Sequence, residues 1–163
     1  NMWRRRTGDE SEDADLIMDQ ILIQVVNHHR HDWMNELQVL FGYVQLNKHD
    51  KLKAYISKLS DKLYRESLVS KLGDPRLVAY LFAFKAGNPK LTLTVYPERD
   101  INLAVCGEAG LIAAEAIRTI AEAYRSAAEH GVGDGNELLI RLDIAWRDQE
   151  GNELLIDFEY TGY

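Results

Sequence analysis

The chain has 163 residues, 46% of them hydrophobic and 28% charged, with a formal net charge of −7. That length suits one domain or two small ones sharing a core, and the acidic balance argues against nucleic acid as the main partner, since such binding rests on basic patches. Cys106 is the single cysteine, so an internal disulfide and a cysteine-built zinc site are excluded and a reducing cytoplasm is the expected compartment.

Residues 1–14, polar and acidic after Arg4-Arg5-Arg6, read as a disordered lead-in. No apolar stretch follows the arginines, so no secretory signal is expected. No apolar run anywhere reaches the roughly 18 residues of a membrane span. From Asp15 onward, Ile17, Met18, Ile21, Leu22, Val25 and Val26 recur at helical spacing. His29, Trp33, Leu37, Leu40 and Val44 continue the stripe, which predicts a helix of about eight turns with one apolar seam. Leu46 to Asp50 breaks the pattern, and so short a polar break between helices means an antiparallel hairpin. Asp50 is the expected N-cap of the second helix, whose seam is Leu52, Tyr55, Ile56, Leu59 and Leu63, reaching Leu68.

Gly73 closes the connection, and Asp74-Pro75 is a helix start with proline in the first turn. This third helix is expected to run to Ala86 and stop at Gly87-Asn88-Pro89. Leu91, Leu93 and Val95 then alternate with Thr92 and Thr94, which predicts a strand. An alanine-rich helix follows from Glu108 to Glu129, closed by His130-Gly131. Gly133 to Asn136 is a turn, Glu137 to Trp146 a strand, Asp148 to Asn152 a hairpin turn and Glu153 to Tyr160 a strand. The predicted class is α+β, with a helical hairpin over residues 15–72 and an α+β half over 73–163. Two long helices cannot bury their seam on each other alone. A second copy, giving a dimeric four-helix bundle, is the simplest cover; the C-terminal half is the alternative.

His31 is the leading candidate for chemistry. At about 100° per residue it lies about 160° around the helix from Trp33, so it points to solvent when the seam is buried. Asn27, His28, Asn35, Gln38, Gly42 and Gln45 share the outward side, and Gly42 leaves room for another protein's backbone. A neutral imidazole, with an unperturbed pKa of roughly 6.5, is a good nucleophile near neutrality. A phosphoryl group on its nitrogen stays transferable to a carboxylate, and positioning dominates such transfers. The plain alternative is a solvated helix face on which His28, His31 and His49 do nothing and His29 is structural. A metal site from His28, His31 and Asp32 lacks a suitably placed ligand set.

Arg30-His31-Asp32-Trp33-Met34-Asn35-Glu36-Leu37-Gln38 resembles the phosphoacceptor box of citrate/C4-dicarboxylate-type sensor histidine kinases. It is closer still to that of the sporulation initiation phosphotransferase B family, whose box reads Arg-His-Asp-Trp-Met-Asn. Gly73-Asp74-Pro75-Arg76-Leu77 and Leu91 to Tyr96 resemble the connector into a kinase-like ATPase domain. The resemblance implies that His31 is phosphorylated, that Asp32 is the acidic neighbour able to polarise it, and that Asn35 orients a water or the phosphoryl group. It implies that Arg30 stabilises phosphoryl charge and that Gln38 is a partner contact; with Asn27, His28 and Gly42 of the outward side, these are the expected partner-binding residues.

Kinases of this superfamily hold Mg²⁺ on a helix-borne asparagine, adenine on an Asp-x-Gly-x-Gly segment and the phosphates under a glycine-rich lid. The helix from Glu108 to Glu129 has no asparagine, and no Asp-x-Gly-x-Gly follows the last strand. If the natural chain continues beyond Tyr163 the missing lid means nothing, but the missing asparagine still counts. The C-terminal half therefore resembles a degenerate ATPase-type α/β sandwich. The expectation is a homodimeric phosphorelay phosphotransferase that takes a phosphoryl group from one response-regulator receiver and gives it to another. It would need no cofactor of its own, the Mg²⁺ coming with the receivers. The rivals are a sensor-kinase fragment that uses ATP and a non-catalytic module that binds a receiver.

Overall fold

A computed structural model describes residues 2–130, 137–147 and 151–161. Four helices precede and interleave three strands: α1 (Met2–Gln45), α2 (His49–Ser70), α3 (Pro75–Gly87), β1 (Thr92–Pro97), α4 (Glu108–Glu129), β2 (Glu137–Arg147) and β3 (Gly151–Thr161). A single 3₁₀ turn, Leu103–Val105, lies between β1 and α4. No helix among the described residues is long and apolar enough to cross a membrane.

The helical hairpin forms as its periodicity predicts. Asn47 makes the turn in the left-handed region, at φ 54, which asparagine tolerates because its short side chain bonds locally. α1 and α2 then meet through Glu36 with Tyr55 and Lys62 and through the edge-to-face rings of Tyr43 and Tyr55. Two expectations need correcting. The segment read as a disordered lead-in is helical from Met2. It holds no proline, and extending an existing helix by one residue costs far less than nucleating a new one. The N-cap of α2 is Lys48, with Asp50 inside the first turn, where a carboxylate favours the positive end of the helix dipole. α1 is twice the length of α2, with 44 residues against 22, and its residues 8–20 are exposed on every side.

The α/β half is built around one sheet of order β1-β2-β3, with β1 parallel to β2 and β2 antiparallel to β3. The parallel pair requires a crossover, and α4 supplies it. Leu93 and Val95 of β1 and Leu138, Ile140 and Leu142 of β2 are buried at every second position, as a sheet with one face on the core demands. They bury against Leu77, Leu81 and Phe84 of α3 and Ala113, Ile117, Ala121 and Tyr124 of α4. Small alanines on α4 let its backbone approach the sheet. Asp74 caps α3, its Oδ1 accepting from the Leu77 N–H at 3.1 Å. Strand β1 begins at Thr92 rather than Leu91, and β2 and β3 each extend a residue or two beyond the expected ends. The turn expected over Gly133 to Asn136 lies outside the described residues, as do residues 148–150 of the turn expected before β3.

The two halves are joined by a tight connector. Gly73 has φ +79, and a Cβ there would sit 1.9 Å from Asn102 Oδ1. The Leu103 N–H donates to the Leu72 carbonyl at 2.7 Å, and Leu72 is fully buried. Only glycine fits such a close approach at positive φ. Beyond this joint, the C-terminal part of α2 leans on β1, with the Arg65 guanidinium 5.1 Å over the Tyr96 ring.

Candidate functional site

One helix places every candidate. Residues spaced three and four apart on α1 share a face, so Asn27, His31, Asn35, Gln38 and Gly42 form a stripe. Asn27, His31, Asn35 and Gln38 are exposed and Gly42 is half-buried. A Cβ at Gly42 would meet nothing within 4 Å, so the surface there is open. The His31 Nδ1 lies 3.4 Å from the Asn35 amide, one helical turn on. The Arg30 guanidinium donates to Asn27 Oδ1 at 2.8 Å, a bond that directs the cation along the stripe toward the preceding turn.

A different face carries Asp32. Its Oδ2 lies 3.4 Å from the His28 Nε2, and both residues are half-buried. His28, expected on the outward side, belongs to this inner face instead, because the side of α1 turned to the rest of the chain runs through Ile21, Val25, His28, Asp32, Glu36, Leu40 and Tyr43, each only partly exposed. That row is rotated from the apolar stripe containing Trp33. Trp33 accordingly remains 37% exposed in the single chain, where the sequence places it at the centre of a buried seam. Beside it, His29 is exposed and borders a small groove with Asp32, Trp33 and Glu36 against Leu59, Leu63 and Glu66.

Glu36 is the structural residue that the sequence reading passed over. The Tyr55 hydroxyl donates to its Oε2, and Lys62 lies 3.4 Å from its Oε1. The Tyr55 hydrogen bond is the main reason its carboxyl is held below the ordinary carboxylate range, with Lys62 adding to the effect against partial burial. The same bond, with partial burial, pushes the Tyr55 hydroxyl up to about 12. Folding the chain back about Asn47 brings Glu36 opposite the middle of α2, so the hairpin register was the available signal. Among the described residues no three His, Cys, Asp or Glu side chains gather to hold a metal ion.

The arrangement offers an exposed imidazole on a stiff helix. The amide of Asn35 can present its oxygen to Nδ1–H, since the two ends of an amide are assigned by their partners. In that tautomer the Nε2 lone pair is free to attack. The half-buried row behind it fixes the rotation of α1 and therefore the direction in which His31 projects.

Comparison with known proteins returns two matches. Residues 18–72 match a family described as the alpha-helical domain of SpoOB-type sensor kinases. The chain is also 32% identical over 84 residues to Sporulation initiation phosphotransferase B of Bacillus subtilis (strain 168). That match covers 52% of this chain and 44% of the relative, so the chain spans less than half of that protein. Both matches agree with the resemblance carried by the box around His31.

Proposed function

We propose that the chain, whose residues 18–72 match the alpha-helical domain of SpoOB-type sensor kinases, is a phosphorelay phosphotransferase with His31 as its phosphoryl carrier. A receiver bearing phosphoaspartate docks on the stripe of Asn27, Arg30, Gln38 and Gly42. His31 Nε2 attacks phosphorus in line, forming the P–N bond as the P–O bond to the donor aspartate breaks. The proton stays on Nδ1, held toward Asn35. A second receiver's carboxylate then attacks the same phosphorus, forming a P–O bond and releasing the imidazole. Mg²⁺ for both steps belongs to the receivers' acidic pockets. Asp32, turned to His28, acts through its charge near the imidazole rather than through a bond to it.

The observation that carries this reading is the exposed His31, with Nδ1 beside Asn35 and open surface over Gly42. The name of the B. subtilis relative supports the same chemistry. The C-terminal half serves as a degenerate, non-nucleotide scaffold: α4 bears no asparagine. Dimerisation follows from the unpartnered side of α1, where Leu22, Val26, Trp33, Leu37 and Val44 are exposed at alternating spacings of four and seven. Ile56 and Leu63 of α2 are exposed as well. Contiguous apolar surface of this kind marks an interface, and a second hairpin completes a four-helix bundle.

The test is label transfer from a receiver charged with labelled phosphate. The wild-type chain should gain acid-labile, base-stable label, and His31→Ala should gain none while keeping its oligomeric state. Undiminished labelling of His31→Ala overturns the assignment.

A further inference from the structure

A cavity of about 500 Å³ opens between the hairpin and the α/β half, bounded by α1, α2, α3, β1 and the start of β2. That volume lies within the range of small-molecule sites, which is roughly 300–1,000 Å³. Four cations line it: Lys58, Lys62 and Arg65 of α2, and Lys85 of α3. The three on α2 are spaced four and three apart, so they share one helix face and extend over ~10 Å of the helix at 1.5 Å per residue. Thr92 and Thr94 add hydroxyls, and Phe82 with Val69 adds an apolar wall.

In an acidic chain, this concentration of positive charge is only partly answered. Lys62 is engaged by Glu36 and Arg65 lies over Tyr96. Neither Lys58 nor Lys85 forms an ion pair among the described residues. Lys85 is the telling one. Burial pushes its ammonium below the ordinary lysine range, against the opposing pull of Glu66 and Asp32. A half-buried cation without an ion-pair partner carries a desolvation cost, and an entering anion would offset it through charge-assisted hydrogen bonds. Glu36, Glu66 and Glu137 also border the space. A carboxylate ligand would therefore gain little over carboxylates already present, whereas a dianion with three acceptor oxygens adds what they lack.

The geometry points to a binding site for a small phosphomonoester, its phosphate between Lys85 and the α2 cations and its apolar body against Phe82 and Val69. Nothing in this requires His31, so the site stands or falls separately from the relay.

Phenyl phosphate titrated into the 163-residue chain by calorimetry tests it. Saturable binding at one site per chain is expected. Lys85→Met, which keeps the side chain's length and removes its charge, should weaken binding by about tenfold or more, the scale of one charge-assisted contact. Lys58→Ala, at the exposed rim and harmless to folding, should weaken it by about threefold, as a more solvated contact does. His31→Ala should bind as wild type. Absence of saturable binding, or wild-type affinity in both lysine variants, overturns the proposal.

Discussion

Replacing Tyr55 with phenylalanine removes one oxygen and leaves the ring that packs edge-to-face on Tyr43. What is lost is the hydrogen bond to Glu36, one of the ties between α1 and α2. A hydrogen bond to a charged group contributes about 1.5–3 kcal/mol. The Glu36 side chain is 20% exposed and keeps Lys62, so the lower end applies, about 1.5 kcal/mol. For a chain of this size that corresponds to a fall in Tm of about 3–6 °C. The pH dependence identifies the cause. Because the Glu36 carboxyl is held below its usual value of 4.5, its contribution is complete above that value and is lost as pH falls through the lowered one. Because the Tyr55 hydroxyl is raised from 10.0 to about 12, its contribution is complete below 10.0 and is lost as pH rises through the raised value. Urea unfolding of wild type and Tyr55→Phe at neutral pH and at about pH 3 should therefore show a difference that shrinks in acid. A difference of the same size at both values would refute the tie as the source.

Three further expectations follow from particular contacts. Asn35→Ala frees the His31 Nδ1 from its neighbour and should slow phosphoryl transfer by about tenfold, equivalent to about 1.4 kcal/mol, with unchanged unfolding in urea; an unaltered single-turnover rate removes Asn35 from the mechanism. Ile117→Ala empties a site that is 0% exposed between α4 and the sheet and should cost about 2–5 kcal/mol, measured by chemical denaturation. Asp74→Ala deletes the cap on Leu77 and leaves the Arg118 guanidinium, 3.9 Å away, without that carboxylate; a loss of about 1–2 kcal/mol is expected, read from the same denaturation curves.

Periodicity made most of the fold legible. α4 falls on Glu108–Glu129 as read, because its alanines and Ile117 repeat on one face and glycines flank it. α3 begins where Asp74-Pro75 announces it. The strands follow from two-residue alternation. What escaped was the identity of the hairpin's inner row. Apolar pattern alone assigns the inside to Trp33 and Leu37, yet His28, Asp32, Glu36 and Tyr43 are the half-buried residues, and Glu36 and Tyr43 are the ones that meet α2. Polar side chains can occupy such a face because each finds a partner there: His28 with Asp32, Glu36 with Tyr55 and Lys62. The first pair is one helical turn apart, but the partners of Glu36 come from tertiary pairing, which no local window contains. The same limit applies to the candidate site. His31 was readable because its box is contiguous on one helix, whereas the cationic cavity draws on five elements distant in sequence.

The continuity of α1 has a mechanical consequence. From Met2 to Gln45 the helix is unbroken and contains no proline, so it behaves as a torsionally stiff shaft. Its exposed stretch over residues 8–20, ~20 Å of helix at 1.5 Å per residue, is locked in phase with His31. Inserting or deleting a single residue between them would turn that stretch by about 100° relative to the imidazole, whereas inserting seven residues, nearly two whole turns, would restore the alignment to within about 20°.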